Sequence, residues 1–123
     1  MLEYLNIDEV LFIDIETVPI APEYKELTEK WRQLWEHKMQ FNIGNGETAD
    51  DLYERAGIYA EFGKIICISA GYVTQKQGEQ FFRVKSFYDD DEKKLISIFF
   101  NAWDKFSRAG KRRLCAHNGQ EFD

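Results

Sequence analysis

The chain opens, after a short polar start, on Val10-Leu11-Phe12-Ile13-Asp14-Ile15-Glu16-Thr17, a nearly unbroken apolar run that leaves on two acids. A run of this length and β-branched character predicts a strand over 10–16. Residues two apart on a strand share a face. Leu11, Ile13 and Ile15 therefore point one way, and Val10, Phe12, Asp14 and Glu16 point the other. That second face is apolar where the strand enters and acidic where it leaves. Taken as a buried strand, it would hold two desolvated carboxylates, which are costly without a cation or several donors.

Pro19 and Pro22 then break regular structure, and from Glu23 the apolar spacing becomes helical through Tyr24, Leu27, Trp31, Leu34, Trp35 and Met39. Asn42 to Gly46 reads as a loop. Thr48 followed by Asp51 resembles a helix-capping signal ahead of a stripe of Leu52, Ala56, Tyr59 and Ala60, with Gly63 as the stop. Lys64 to Thr74 and Gln80 to Tyr88 predict strands joined by a turn containing Gly78, an antiparallel hairpin. Asp89, Asp90, Asp91 and Glu92 open the next helix, where negative charge suits the positive end of the helix dipole. Its apolar face is Leu95, Ile98, Phe99, Ala102, Trp103 and Phe106, and Gly110 ends it. Arg113 to His117 is a short fourth strand, and a strand–helix–strand connection implies a parallel neighbour. The order predicts an α/β fold: a mixed sheet of three antiparallel strands plus a parallel fourth, in one domain over 1–123 with a helical insertion over 17–63.

Composition narrows the class. The 123 residues are enough for one modest core, and 44% hydrophobic with 15% aromatic residues excludes a disordered tail. No apolar run is long enough to span a bilayer, and the N-terminus lacks a signal-peptide pattern, so a cytoplasmic protein is expected. Cys67 and Cys115 sit in apolar strand-like runs and read as buried free thiols, too few for a structural zinc site. The net charge of −6 disfavours binding nucleic acid by bulk electrostatics. It leaves room for a nucleic-acid enzyme whose acids hold metal ions, because the ions reverse the local charge.

The chemistry gathers at two places. Asp14 and Glu16 leave the first strand, and His117-Asn118-Gly119-Gln120-Glu121-Phe122-Asp123 comes directly after the fourth. If the two strands are parallel neighbours, both segments emerge at one sheet edge, where open α/β sheets build their sites, and Asp123 approaches Asp14 and Glu16. Oxygen ligands of this kind favour Mg²⁺ or Mn²⁺ over zinc.

Asp14-Ile15-Glu16 followed by Asn118-Gly119-Gln120-Glu121-Phe122-Asp123 resembles the first two motifs of the DEDD-type 3′–5′ exonucleases, Asp-x-Glu and Asn-x-x-x-Phe/Tyr-Asp. The stretches Phe12 to Pro19 and Phe62 to Ser69 resemble the branch related to the proofreading domain of family B DNA polymerases. The resemblance implies a ribonuclease-H-like fold and two-metal hydrolysis of phosphodiester bonds at a single-stranded DNA 3′ end, with RNA less favoured. It implies that Asp14 bridges two divalent ions, Mg²⁺ or Mn²⁺. Glu16 would bind the ion that holds the attacking water, and Asp123 the other. Thr17, Asn118 and Phe122 match positions that meet or pack the strand end. The family's third motif, with a fourth aspartate and a water-orienting Tyr or His, has no counterpart after Asp123. The expectation is therefore a C-terminally truncated, incomplete exonuclease-like domain with little or no activity, open to self-association through surfaces the truncation exposes.

Simpler readings stand beside these. Asp14 and Glu16 also read as exposed strand-end acids, and Asp123 as a solvated one. His117 reads better as a packed or backbone-bonded histidine than as a general base, and His37 as merely exposed. Lys105, Arg108, Lys111, Arg112 and Arg113 suit a helix C-terminus more simply than phosphate binding. Trp31, Trp35 and Tyr24 read as core before they read as base-stacking platforms. The exonuclease has two rivals. One is a non-catalytic nucleic-acid-binding or interaction module on the same fold. The other is a different two-metal nuclease such as an endonuclease, which would not depend on a free 3′ end.

Overall fold

The computed structural model describes residues 4–108, 110 and 113–117. Strand β1 (Val10–Pro19) is followed by helix α1 (Glu29–Met39) and strands β2 (Gly63–Lys76) and β3 (Glu79–Tyr88). Helix α2 (Glu92–Ser107) and strand β4 (Arg113–Ala116) complete the order, with 3-10 turns at Ile7–Glu9, Tyr24–Glu26 and Tyr53–Ile58. The strands form one mixed sheet in the order β3-β2-β1-β4, in which β2 and β3 are antiparallel and β4 lies parallel to β1. This is the α/β arrangement of three antiparallel strands and a parallel fourth. The expected single domain divides into two compact units, 1–16 with 65–123, and Thr17–Lys64.

In the first unit, α2 covers one face of the sheet. Leu95, fully buried, packs with Leu11, Ile68, Ala70 and Phe87, and Phe99, Ala102, Trp103 and Phe106 join them from the same helical stripe. Ile98, expected in that stripe, is 41% exposed. Asp91 caps the helix, its Oδ1 accepting from the Lys93 and Lys94 amides at 2.9 and 3.3 Å. Glu92 accepts from the Ile65 amide at 2.7 Å and so ties the first turn of α2 to the start of β2. The β2–β3 hairpin closes through Gln77 and Gly78, with φ of 54° and 83°. A two-residue type I′ turn requires positive φ at both positions, because only that hand matches the strand twist.

The second unit is built around Trp35, which is 0% exposed. Tyr53, Tyr59 and Phe62 meet its ring edge-on at 5.0–5.8 Å, and its Nε1 donates to the Ala49 carbonyl at 2.7 Å. The helix expected from Glu23 begins at Glu29, because Leu27 and Thr28 are extended and the Thr28 hydroxyl caps the Trp31 amide. Thr48 and Asp51 do form the reciprocal hydrogen bonds of a capping box. The segment after the box, Tyr53–Ile58, is 3-10 rather than the expected α-helix. The Gly57 carbonyl accepts from the distant Thr17 hydroxyl at 2.7 Å, and the Tyr59 carbonyl from the nearby Gly63 amide at 2.7 Å, which closes the turn into β2. Cys67 is half-buried and Cys115 exposed, against the expectation of buried thiols, since Cys115 lies on the edge strand β4.

Two glycine substitutions separate steric from conformational cost. A Cβ on Gly63 would sit 2.6 Å from the Gly57 carbonyl oxygen, a backbone atom. Gly63→Ala should cost about 2 kcal/mol in urea unfolding. Gly78 has open space around it, and Gly78→Ala should cost about 1 kcal/mol from its φ alone. Equal costs would contradict this.

Lys38 Nζ donates to Glu61 at 2.7 Å and holds that carboxyl below its usual range. The unfolded chain then binds the Glu61 proton more readily, so the pair's contribution is full above Glu61's ordinary value of 4.5 and fades as pH falls through the depressed one. With side chains 29% and 55% exposed the contribution is small. Lys38→Met should return Glu61 to the ordinary range in a carboxyl NMR titration, and an unchanged titration would contradict the assignment.

Candidate functional site

The site is built on β1. Its alternation puts Leu11, Ile13 and Ile15 against the α2 cluster. On the other face Val10 is buried and Phe12 meets Phe82 edge-on, with ring centroids 5.8 Å apart. The Phe82 ring lies over Gly71, whose missing Cβ makes room for it. Beyond Phe12 the same face carries Asp14 and then Glu16, both exposed. The expected desolvation of these carboxylates is thus absent among the described residues. α2 covers the opposite face, and neither acid makes a hydrogen bond or ion pair among the described residues. Water can solvate both, and two strand positions apart their mutual repulsion is mild.

β4 supplies the second half of the geometry. Its parallel register sets Val10 against Arg113, Leu11 against Leu114, Phe12 against Cys115 and Ile13 against Ala116. Past the last pair β4 ends at Ala116, whereas β1 runs on through Asp14 and Glu16 to Pro19, beyond the strand expected over 10–16, so the two acids sit within β1 just past the point where β4 leaves it. His117 is exposed. Asn118, Phe122 and Asp123 lie outside the described residues, as do Lys111 and Arg112. Among the described residues no three His, Cys, Asp or Glu side chains gather into a metal-ligating cluster. Asp14 and Glu16 are therefore together on one face, and the third expected ligand falls beyond what is described.

The remaining sequence candidates find structural roles. Thr17 belongs to the second unit, where its hydroxyl proton is given to Gly57. In the run Asp89 to Glu92, Asp89 pairs with Lys94 at 2.7 Å, Asp91 caps α2 and Glu92 holds Ile65. Arg108 pairs with Asp104 one turn earlier. Trp35 is core, and His37 is exposed beside Gln40.

Two cavities are not legible as pattern. One, of about 460 Å³, lies in the second unit beside Tyr24 and Tyr53, with Glu23, Asp50, Asp51 and Glu54 at its walls. Partial burial and a hydrogen bond to Glu36 push the Tyr24 hydroxyl up to about 12, and burial also raises Tyr53, so both stay protonated donors at neutral pH. Glu23 and Asp51 are engaged with Lys25 and Thr48. The other, of about 140 Å³, is apolar and lies between α2 and the sheet. Sequence periodicity marks the residues facing a core but not where their packing stops short, so neither cavity leaves a signal in the chain. Comparison of the chain with protein-family models, curated proteins and solved structures finds no match.

Proposed function

We propose that this chain carries the first two acidic motifs of a metal-dependent 3′–5′ exonuclease on a ribonuclease-H-like sheet, acting on single-stranded DNA, with RNA less favoured. The observation that supports this most is the parallel register of β1 and β4. It ends β4 beside Ile13, so Asp14 and Glu16 follow along β1 from the point where β4 leaves off, and the carboxyl end of a parallel strand is where open α/β sheets bind ligands. The donor set fits a hard cation: two carboxylates on one strand face, exposed and without partners among the described residues. Divalent ions bound there would polarise the scissile phosphate and supply a hydroxide-like water.

The chain's own residues divide the work in this proposal. Asp14, Glu16 and Asp123 would hold the ions, Asp14 as the ligand common to both, Glu16 toward the attacking water and Asp123 toward the leaving group. Asn118 and Phe122 would steady the 3′ end. The fourth carboxylate and the water-orienting Tyr or His of such enzymes are not part of these two motifs, so the 123-residue polypeptide by itself should degrade DNA only in traces. On 3′-labelled single-stranded DNA with Mg²⁺ or Mn²⁺, any release of nucleoside 5′-monophosphate should vanish in Asp14→Ala, with the circular dichroism unchanged. Processive degradation by the 123-residue polypeptide, or release that survives Asp14→Ala, would sink the proposal.

One observation favours a second reading, a non-catalytic nucleic-acid-binding module. On the sheet side away from α2, Phe82 and Tyr88 are 59% and 77% exposed and offer faces on which bases stack. Metal-independent DNA binding that Asp14→Ala leaves intact and Phe82→Ala weakens would select it. The same surface, with Val84, supports self-association of two copies. Light scattering at rising concentration should show a dimer that Phe82→Ser dissociates, and a strictly monomeric mass would rule it out.

A further inference from the structure

We propose that the apolar cavity between α2 and the sheet is a binding site for a small monocarboxylate with a single-ring body. The cavity holds about 140 Å³ and is walled by Leu11, Ala70 and Phe87 from the strands and Phe99, Ala102 and Trp103 from the helix. An apolar cavity of about 150 Å³ stays dry and accepts a benzene-sized guest, because atoms facing a void lose their dispersion contacts and a guest restores them. The size and lining therefore select one aromatic ring or a compact branched chain.

The charge selects the rest of the ligand. Among the described residues Lys85 is the one charged residue on the cavity lining. It stands opposite Ala70 in the β2–β3 register, and its Nζ lies 5.0 Å from the centre of the Phe87 ring, itself a cavity wall. It forms no ion pair among the described residues. An ammonium resting over an aromatic face is held by the ring quadrupole alone. A carboxylate attached to a guest in the cavity would meet that ammonium at the mouth, replacing a weak partner with an anion while the ring fills the void. A neutral guest gains only the filling, and an ammonium guest is repelled. The exonuclease reading plays no part here: none of these residues lies on the Asp14 face of β1.

The test uses the 123-residue protein with phenylacetate and its uncharged analogue phenylacetamide, monitored by NMR at the Trp103 indole and the Ala70 and Ala102 methyls. Phenylacetate should bind saturably with a Kd on the order of 1 mM, as expected for one buried ring and one partly exposed ion pair. Phenylacetamide should bind about fivefold more weakly. Lys85→Met, a change at an exposed side chain, should erase that difference by weakening phenylacetate alone. Ala102→Leu, which fills the cavity, should abolish both. Equal affinity for the two probes in the unsubstituted protein, a preference that survives Lys85→Met, or no saturable shift at these resonances would each overturn the proposal.

Discussion

The one-sided packing of α2 on the sheet is the constraint on which the other features depend. Leu95 is fully buried, and the stripe of Phe99, Ala102, Trp103 and Phe106 closes over Leu11, Ile68, Ala70 and Phe87. Truncating a side chain such as Leu95 typically costs about 3 kcal/mol, a large share of a small unit's stability. Because the helix takes the Leu11–Ile13–Ile15 face of β1, the alternation of the strand sends Asp14 and Glu16 to the other side. The acids are exposed there by geometry, not by any property of their own.

That exposure changes the electrostatic argument. Two buried carboxylates would need a cation, several donors or a proton to offset their desolvation. Two exposed ones, about 6.6 Å apart along a strand, repel in water by only about 0.6 kcal/mol. The strand therefore needs no ion in order to form, and the metal binding proposed for this pair is not a requirement of folding. Parallel β4 completes the setting, since its register ends at Ala116 beside Ile13, the residue before Asp14.

Local chemistry in the chain is a good guide to local structure. The hairpin with Gly78 in its turn, the acidic cap of α2 at Asp91 and the Thr48–Asp51 box all rest on contacts within a few residues, and all are present. So is the face assignment along β1, which period-two alternation dictates. The features that escape the sequence depend on distant partners. The segment Tyr53–Ile58 is 3-10, and its Gly57 carbonyl accepts from Thr17, far away in sequence. Cys115 is exposed because β4 is an edge strand. Asp14 and Glu16 are exposed rather than buried because an apolar run does not say which face a helix will cover. Asn118, Phe122 and Asp123, the residues of the proposed second motif, lie outside the described structure, so their part in the proposal rests on the sequence.

The most direct measurement is the location of bound Mn²⁺ by paramagnetic broadening of backbone amide resonances in the 123-residue protein. Broadening centred on Ile13 to Glu16 and on His117, abolished by Asp14→Asn with the rest of the spectrum unchanged, is the predicted result. Broadening centred on the Asp50–Glu54 or Asp89–Glu92 acids instead, or a β1 pattern indifferent to Asp14→Asn, would contradict the assignment of Asp14 and Glu16 as the metal-binding pair.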